Sequence, residues 1–118
     1  MLSGFGKGRV FLAPGATDMR KSFNGLSGVV RASLDGDPLS GDLFVFCNRW
    51  KNRLKILYFD ASGMWVLAKR LERGTFAWPG RIEGRARVEL RQEELMLLLN
   101  GLDAGELRER SRWRRRAS

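Results

Sequence analysis

Three apolar runs follow one another so closely between residues 43 and 72 that only tight turns can join them: "LFVFC" (43–47), "RLKILYFD" (53–60) and "MWVLAKRLE" (64–72). The breaks, "NRWKN" and "ASG", are five and three residues long and polar. Runs of this length, rich in Val, Ile, Phe, Tyr and Trp, read as β-strands. Strands joined by such short turns pair antiparallel. The middle run alternates with a period of two, Arg53 and Lys55 against Leu54, Ile56 and Tyr58. Alternate side chains of a strand point to opposite faces, so cations and apolar groups are sorted by the backbone itself.

The rest of the chain builds around this meander. "RVFLA" (9–13) reads as a short strand, and "PGATD" (14–18) as a turn. A helix is expected from Asp18 to about Leu34, its apolar stripe formed by Met19, Phe23, Leu26, Val30 and Leu34 at helical spacing. Gly25 and Gly28 weaken it by about 1 kcal/mol each, which close packing on a sheet would offset. "DGDPLSGD" (35–42) is a loop. "RARVEL" (85–90) reads as a further strand. "RQEELMLLLN" (91–100) reads as a short helix with Leu95, Leu98, Leu99 and Leu102 on one side and Gly101 as its cap. The order β-α-β-β-β-β-α gives an α+β single domain over residues 1–103. Its architecture is an antiparallel β meander, the N-terminal helix packed on one face and a short C-terminal helix beyond. The second face, also apolar, must meet the C-terminal helix, a second copy of the chain or a ligand. Trp65 and Trp78 are expected in the core, and Trp50, in a polar turn, at the surface.

Of the 118 residues, 22 are basic and 13 acidic, a net charge of +9. The excess is concentrated: residues 43–91 carry +7 and residues 108–118 carry +5, against +1 for residues 1–42. A polyanionic partner follows, nucleic acid first among them. No run approaches the roughly 20 apolar residues of a membrane span. The start lacks the apolar stretch of a secretory signal, so a cytoplasmic protein is expected. The single Cys47 sits in an apolar run, and the chain has no histidine. An ordinary Cys/His zinc site and an internal disulfide are therefore excluded, and no metal or cofactor is expected.

Arg49, Lys51, Arg53 and Lys55 surround Trp50 in the first tight turn and the strand after it. The third strand runs back towards that turn, bringing Lys69, Arg70 and Arg73 to the same edge. Cations neutralise phosphates, and an exposed aromatic face can stack on an unpaired base. The tail from residue 104 adds Arg112, Arg114, Arg115 and Arg116 in a stretch of no apolar periodicity, expected to be flexible. Catalysis is poorly supplied. Asp18 suits a helix cap, Asp60 a turn and Glu72 an ion pair between Arg70 and Arg73, leaving no paired carboxylates for metal-dependent phosphodiester chemistry. "GFGKGR" (4–9) lacks the spacing of a phosphate loop. The chain is expected not to be an enzyme.

"DMRK" (18–21), "SGDLFVF" (40–46), "LKILYFD" (54–60) and "AKRLERGTFAWP" (68–79), in this order and spacing, resemble the TnpB-type accessory protein of the insertion sequence 66 family, the second open reading frame product of those bacterial elements. Ser22 and Asn24 stand where that pattern carries Gly and Asp. The resemblance implies a protein needed beside a separate, larger transposase for movement of the element. The expectation is a non-catalytic accessory protein that binds DNA at element ends together with the transposase. The alternative is an adaptor that contacts the transposase and touches DNA little. Self-association through the second apolar face is a further expectation.

Overall fold

The computed structural model describes residues 8–101, so the arginine tail from residue 104 lies outside the described residues. Five strands and two helices follow in the order β1 (Val10–Leu12), α1 (Phe23–Ser33), β2 (Leu43–Cys47), β3 (Arg53–Phe59), β4 (Met64–Arg70), β5 (Val88–Leu90) and α2 (Gln92–Asn100). One sheet holds all five strands in the order β4-β3-β2-β1-β5. The α+β class fits, but the expectation of an all-antiparallel sheet is corrected. β1 runs parallel to β2, with Val10 opposite Leu43 and Leu12 opposite Val45. The 30 residues between them contain α1 and are long enough to cross the sheet and re-enter in the same direction. The other neighbours pair antiparallel, β2 with β3, β3 with β4, and β1 with β5.

Alternation divides the core in two. On one face Phe11, Phe44, Phe46 and Leu57 pack with Leu26, Val30 and Leu34 of α1 and the stretch after it. On the other, Val10, Leu12, Val45, Cys47, Leu54, Ile56 and Val88 pack with Leu95 and Leu98 of α2 and with Phe76, Ala77 and Trp78. The second apolar face is thus covered by α2 and by an extended segment crossing beneath the sheet. Trp78 is 1% exposed. Its indole Nε1–H donates to the carbonyls of Ala13 and Gly15, both at 3.0 Å, and so ties the loop after β1 to that segment. Gly101 closes α2 with φ +75, which favours glycine, while the 2.7 Å a Cβ there would have to Leu71 Cδ1 could be relieved by a shift of that side chain. Among the described residues no helix is long and apolar enough to cross a membrane.

Three expectations about individual positions are corrected. The helix starts at Phe23 rather than Asp18, because residues 18–21 close a turn of their own, Lys21 N–H donating to the Asp18 carbonyl at 3.2 Å. With the helix shortened, its buried stripe is Leu26, Val30 and then Leu34, and Phe23 in the first turn is 47% exposed. Gly28 does not relieve a close approach to the sheet, since a Cβ there would meet nothing within 4 Å. Trp65 is 50% exposed at the far end of β4 rather than in the core, its Nε1–H held by Asp60 Oδ2 at 2.8 Å.

These burials set opposite outcomes for two aromatic truncations. Trp78→Ala is expected to cost about 3–5 kcal/mol in denaturant unfolding, from the lost packing and two abandoned carbonyls. Phe23→Ala is expected to cost less than about 1 kcal/mol. Equal losses would mean that the helix stripe is placed wrongly.

Candidate nucleic-acid interface

The topology gathers particular loops at one end of the sheet. β1 and β2 are parallel, so the loop after β1 (13–21) and the turn after β2 (48–52) emerge on the same side. β3 starts there and β4 ends there. Basic groups cluster at this end: Arg20, Lys21, Arg49, Lys51, Arg53, Arg70 and Arg73. The opposite end carries Asp35, Asp37 and Asp42 in the loop before β2 and Asp60 in the turn after β3. Asp42 accepts from the Arg9 backbone N–H at 2.8 Å, while the Arg9 guanidinium is bound to Glu89 at 2.6 Å. The protein is therefore electrically polarised along its strands.

The turn at the basic end is clamped by Asn48, which is only 8% exposed. Its Oδ1 accepts the backbone N–H groups of Asn52 at 3.0 Å and Arg53 at 3.1 Å, and its Nδ2 donates to Asn52 Oδ1 at 2.7 Å. Asn48 N–H donates to the Arg53 carbonyl at 3.0 Å. The clamp holds Lys51 in the left-handed region at φ +61, a conformation that costs a non-glycine residue about 1 kcal/mol or more. Residues 71–76 then brace the turn from outside. Leu71 N–H donates to the Asn52 carbonyl at 2.8 Å, and Phe76 N–H to the Lys51 carbonyl at 2.7 Å. Trp50 projects from the tip, 66% exposed, with the Arg49 guanidinium carbon 4.9 Å from its ring centroid.

Strand register completes the arrangement. Arg53 lies directly opposite Arg70 in the β3–β4 ladder, and Lys55, two residues on, shares their face. Like charges directly opposite each other destabilise an antiparallel pair. Among the described residues only one of the two is relieved by an ion pair, Arg70 Nε to Glu72 Oε2 at 3.1 Å, and that pair is largely solvated. Arg53, Lys55, Arg70, Met19 and the acidic Glu72 line an open groove of about 420 Å³ on this edge.

The candidate cations are not equivalent. Arg49, Arg53, Arg70 and Arg73 are exposed at the basic end, with Lys51 and Lys55 half-buried among them. The Lys55 ammonium donates to the Lys21 carbonyl at 2.8 Å and anchors the loop before α1. Lys69 points to the other face, opposite Leu54, and donates to the Leu99 carbonyl at 2.7 Å in the last turn of α2. A cation there offsets the negative end of the helix, a structural role. Arg112, Arg114, Arg115 and Arg116 lie outside the described residues. Arg20 and Lys21 escaped the sequence reading of the site. The parallel β1–β2 pairing that brings them alongside the turn is not written in any local signal, although "DMRK" itself stands out as a motif.

The carboxylates weighed as catalytic candidates, Asp18 at this end and Asp60 at the other, are locally occupied. The Arg20 side chain, then its backbone N–H, hold the Asp18 carboxyl down at about 2. Asp60 is likewise lowered to about 2, first by the Trp65 indole and then by Ser62 and Gly63. Burial pushes the Cys47 thiol up to about 12, which leaves it an unreactive core group. Among the described residues no group of three or more His, Cys, Asp or Glu side chains is placed to hold a metal ion.

Comparison with known proteins bears on what this end of the sheet serves. The family described as IS66 Orf2 like protein matches residues 8–109, spanning every element above. The chain belongs to the IS66 Orf2-like family. Two relatives from Sinorhizobium fredii are similar to it. "Uncharacterized protein y4hO" is 42% identical over 95 residues, 80% of this chain and 81% of that one. "Uncharacterized protein y4jC" is 39% identical over 95 residues, 80% of each chain. No solved structure matches. Membership of the IS66 Orf2-like family carries a transposition-associated accessory role rather than a known enzymatic one.

The clamp is open to direct test. Asn48→Ala strands two partly buried backbone donors, so it is expected to lower stability by about 1–2 kcal/mol in denaturant unfolding. A change within about 0.5 kcal/mol would mean that the turn holds itself together without the side chain.

Proposed function

We propose that this IS66 Orf2-like protein is a non-catalytic accessory factor that binds the DNA of its element through the basic end of the sheet, beside the separate transposase, in the cytoplasm. The observation that carries the reading is Arg53 set opposite Arg70, with Lys55 along the same face and Arg49 and Lys51 on the adjoining turn. Cations on the edge strand β4 also guard it against pairing with another sheet, but two arginines set directly opposite each other repel, and an anion seated between them would relieve that repulsion. A run of phosphates supplies that anion and releases counterions as it binds. Arg20, Arg70 and Arg73 extend the contact, and the tail arginines Arg112, Arg114, Arg115 and Arg116 add affinity without base readout.

An adaptor function has its own support in an apolar groove of about 420 Å³ between β3, β4 and α2, lined by Leu54, Ile56, Leu67, Met96 and Leu99. Met96 and Leu97 nearby are 49% and 46% exposed. That surface suits contact with the transposase or self-association. It lies on the face opposite Arg53 and Arg70, so a protein contact there and DNA at the basic end are compatible.

Neutralising the opposed pair separates the two functions. Arg53→Gln with Arg70→Gln is expected to weaken DNA binding by about tenfold near physiological salt and to flatten the salt dependence by about one unit of slope per cation. Melting temperature should hold or rise slightly, because a repulsion is removed. Removing residues 108–118, a net +5, should lower affinity for all sequences alike. Unchanged DNA affinity in the double variant would leave the adaptor function standing alone.

A further inference from the structure

We infer that the basic end takes single-stranded DNA, or duplex opened to unpaired bases, with Trp50 as the platform on which a base stacks. The inference rests on the proposed DNA contact and specifies its form. Trp50 exposes 66% of its surface at the tip of a turn whose backbone is held by two hydrogen bonds to the buried Asn48 side chain, with a third joining the Asn48 and Asn52 side chains. The turn backbone that presents the indole is thus preorganised, so less of its freedom remains to be lost when a planar group settles on the ring. One face carries the Arg49 guanidinium, 4.9 Å from the ring centroid. At 66% exposure most of the residue's surface is open to solvent.

The neighbouring cations suit a single strand. Arg53 and Lys55 are two residues apart on one face of β3, about 6.6 Å, comparable with the spacing of successive phosphates along an extended strand. A groove that tracks the backbone with cations, ending in an aromatic platform, is how sequence-tolerant single-strand binding works. In an intact duplex the base faces are stacked on one another and only their edges reach the grooves. A solvent-facing indole has nothing to stack on there unless the helix is first unstacked. Opened DNA is the ligand for which Trp50, the Asn48 clamp and the Arg53–Lys55–Arg70 row act together.

The test compares a labelled 20-nucleotide oligo(dT) with the oligo(dT)·oligo(dA) duplex of the same length, at one salt concentration, against the full chain. Trp50→Ala is expected to weaken oligo(dT) binding by about tenfold while changing duplex binding less than about twofold, and Trp50→Phe to recover most of the loss. Because the residue is exposed, the melting temperature of both variants should match the parent. Equal loss on both ligands, or loss on neither, would overturn the platform. If Arg53→Gln with Arg70→Gln still weakened binding to both, the DNA contact would survive that failure. A parent protein that bound neither oligonucleotide would overturn the platform and the DNA contact together.

Discussion

The Asn48 side chain settles more of this structure than any apolar contact does. Buried where β2 passes into β3, it satisfies two backbone donors that the five-residue turn leaves over. Closing the turn in this way sets Cys47 opposite Leu54. From that register the period of two does the rest. Leu54 and Ile56 face the Trp78 and α2 side, and Arg53, Lys55 and Leu57 face the α1 side. A slip of one residue would exchange the two sets and drive Arg53 and Lys55 into the core. The next ladder, closed by the 60–63 turn in which the Asp60 N–H donates to the Gly63 carbonyl at 3.0 Å, sets Arg53 opposite Arg70. A single buried amide is therefore linked to the hydrophobic layering and to the turn that carries Arg49 and Lys51.

The polarity of the molecule follows from topology rather than from the charge of any one segment. Because β1 and β2 are parallel, the loops that follow them leave by the same end of the sheet. Those loops carry Arg20, Lys21, Arg49 and Lys51, while the loop before β2 carries Asp35, Asp37 and Asp42 to the other end. Such a distribution orients a polyanion during approach, steering it to one end. It also separates the basic end from the apolar groove beside α2, so two partners of different chemistry can be held at once.

Much of this was legible in the sequence, for stated reasons. The apolar runs and turn lengths give β2, β3 and β4, and the expected convergence of Arg49, Arg53 and Arg70 follows from antiparallel pairing across short turns. The buried Trp78 and exposed Trp50 follow from their surroundings. Other features are tertiary and have no local signature. The parallel partner of β1 depends on which way a 30-residue connection crosses, and with it went the contribution of Arg20 and Lys21. Phe23 and Trp65 were misplaced by treating apolar identity as burial. Phe23 sits where the helix has only just begun, and Trp65 trades the core for a hydrogen bond to Asp60. Lys69 looked like its neighbour Arg70, yet alternation sends it to the opposite face, where α2 ends.

The claim at the centre is that the basic end of the sheet, and not the α2 face, meets DNA. Backbone amide shift mapping by NMR, on titrating the protein with a 20-nucleotide single strand, reads this directly. The account predicts perturbations concentrated at residues 19–21, 48–55 and 69–73, with residues 35–42 and 60–63 at the acidic end unmoved. Perturbations centred on Met96–Leu99 and β4's outer face, or spread evenly over the surface, would contradict it.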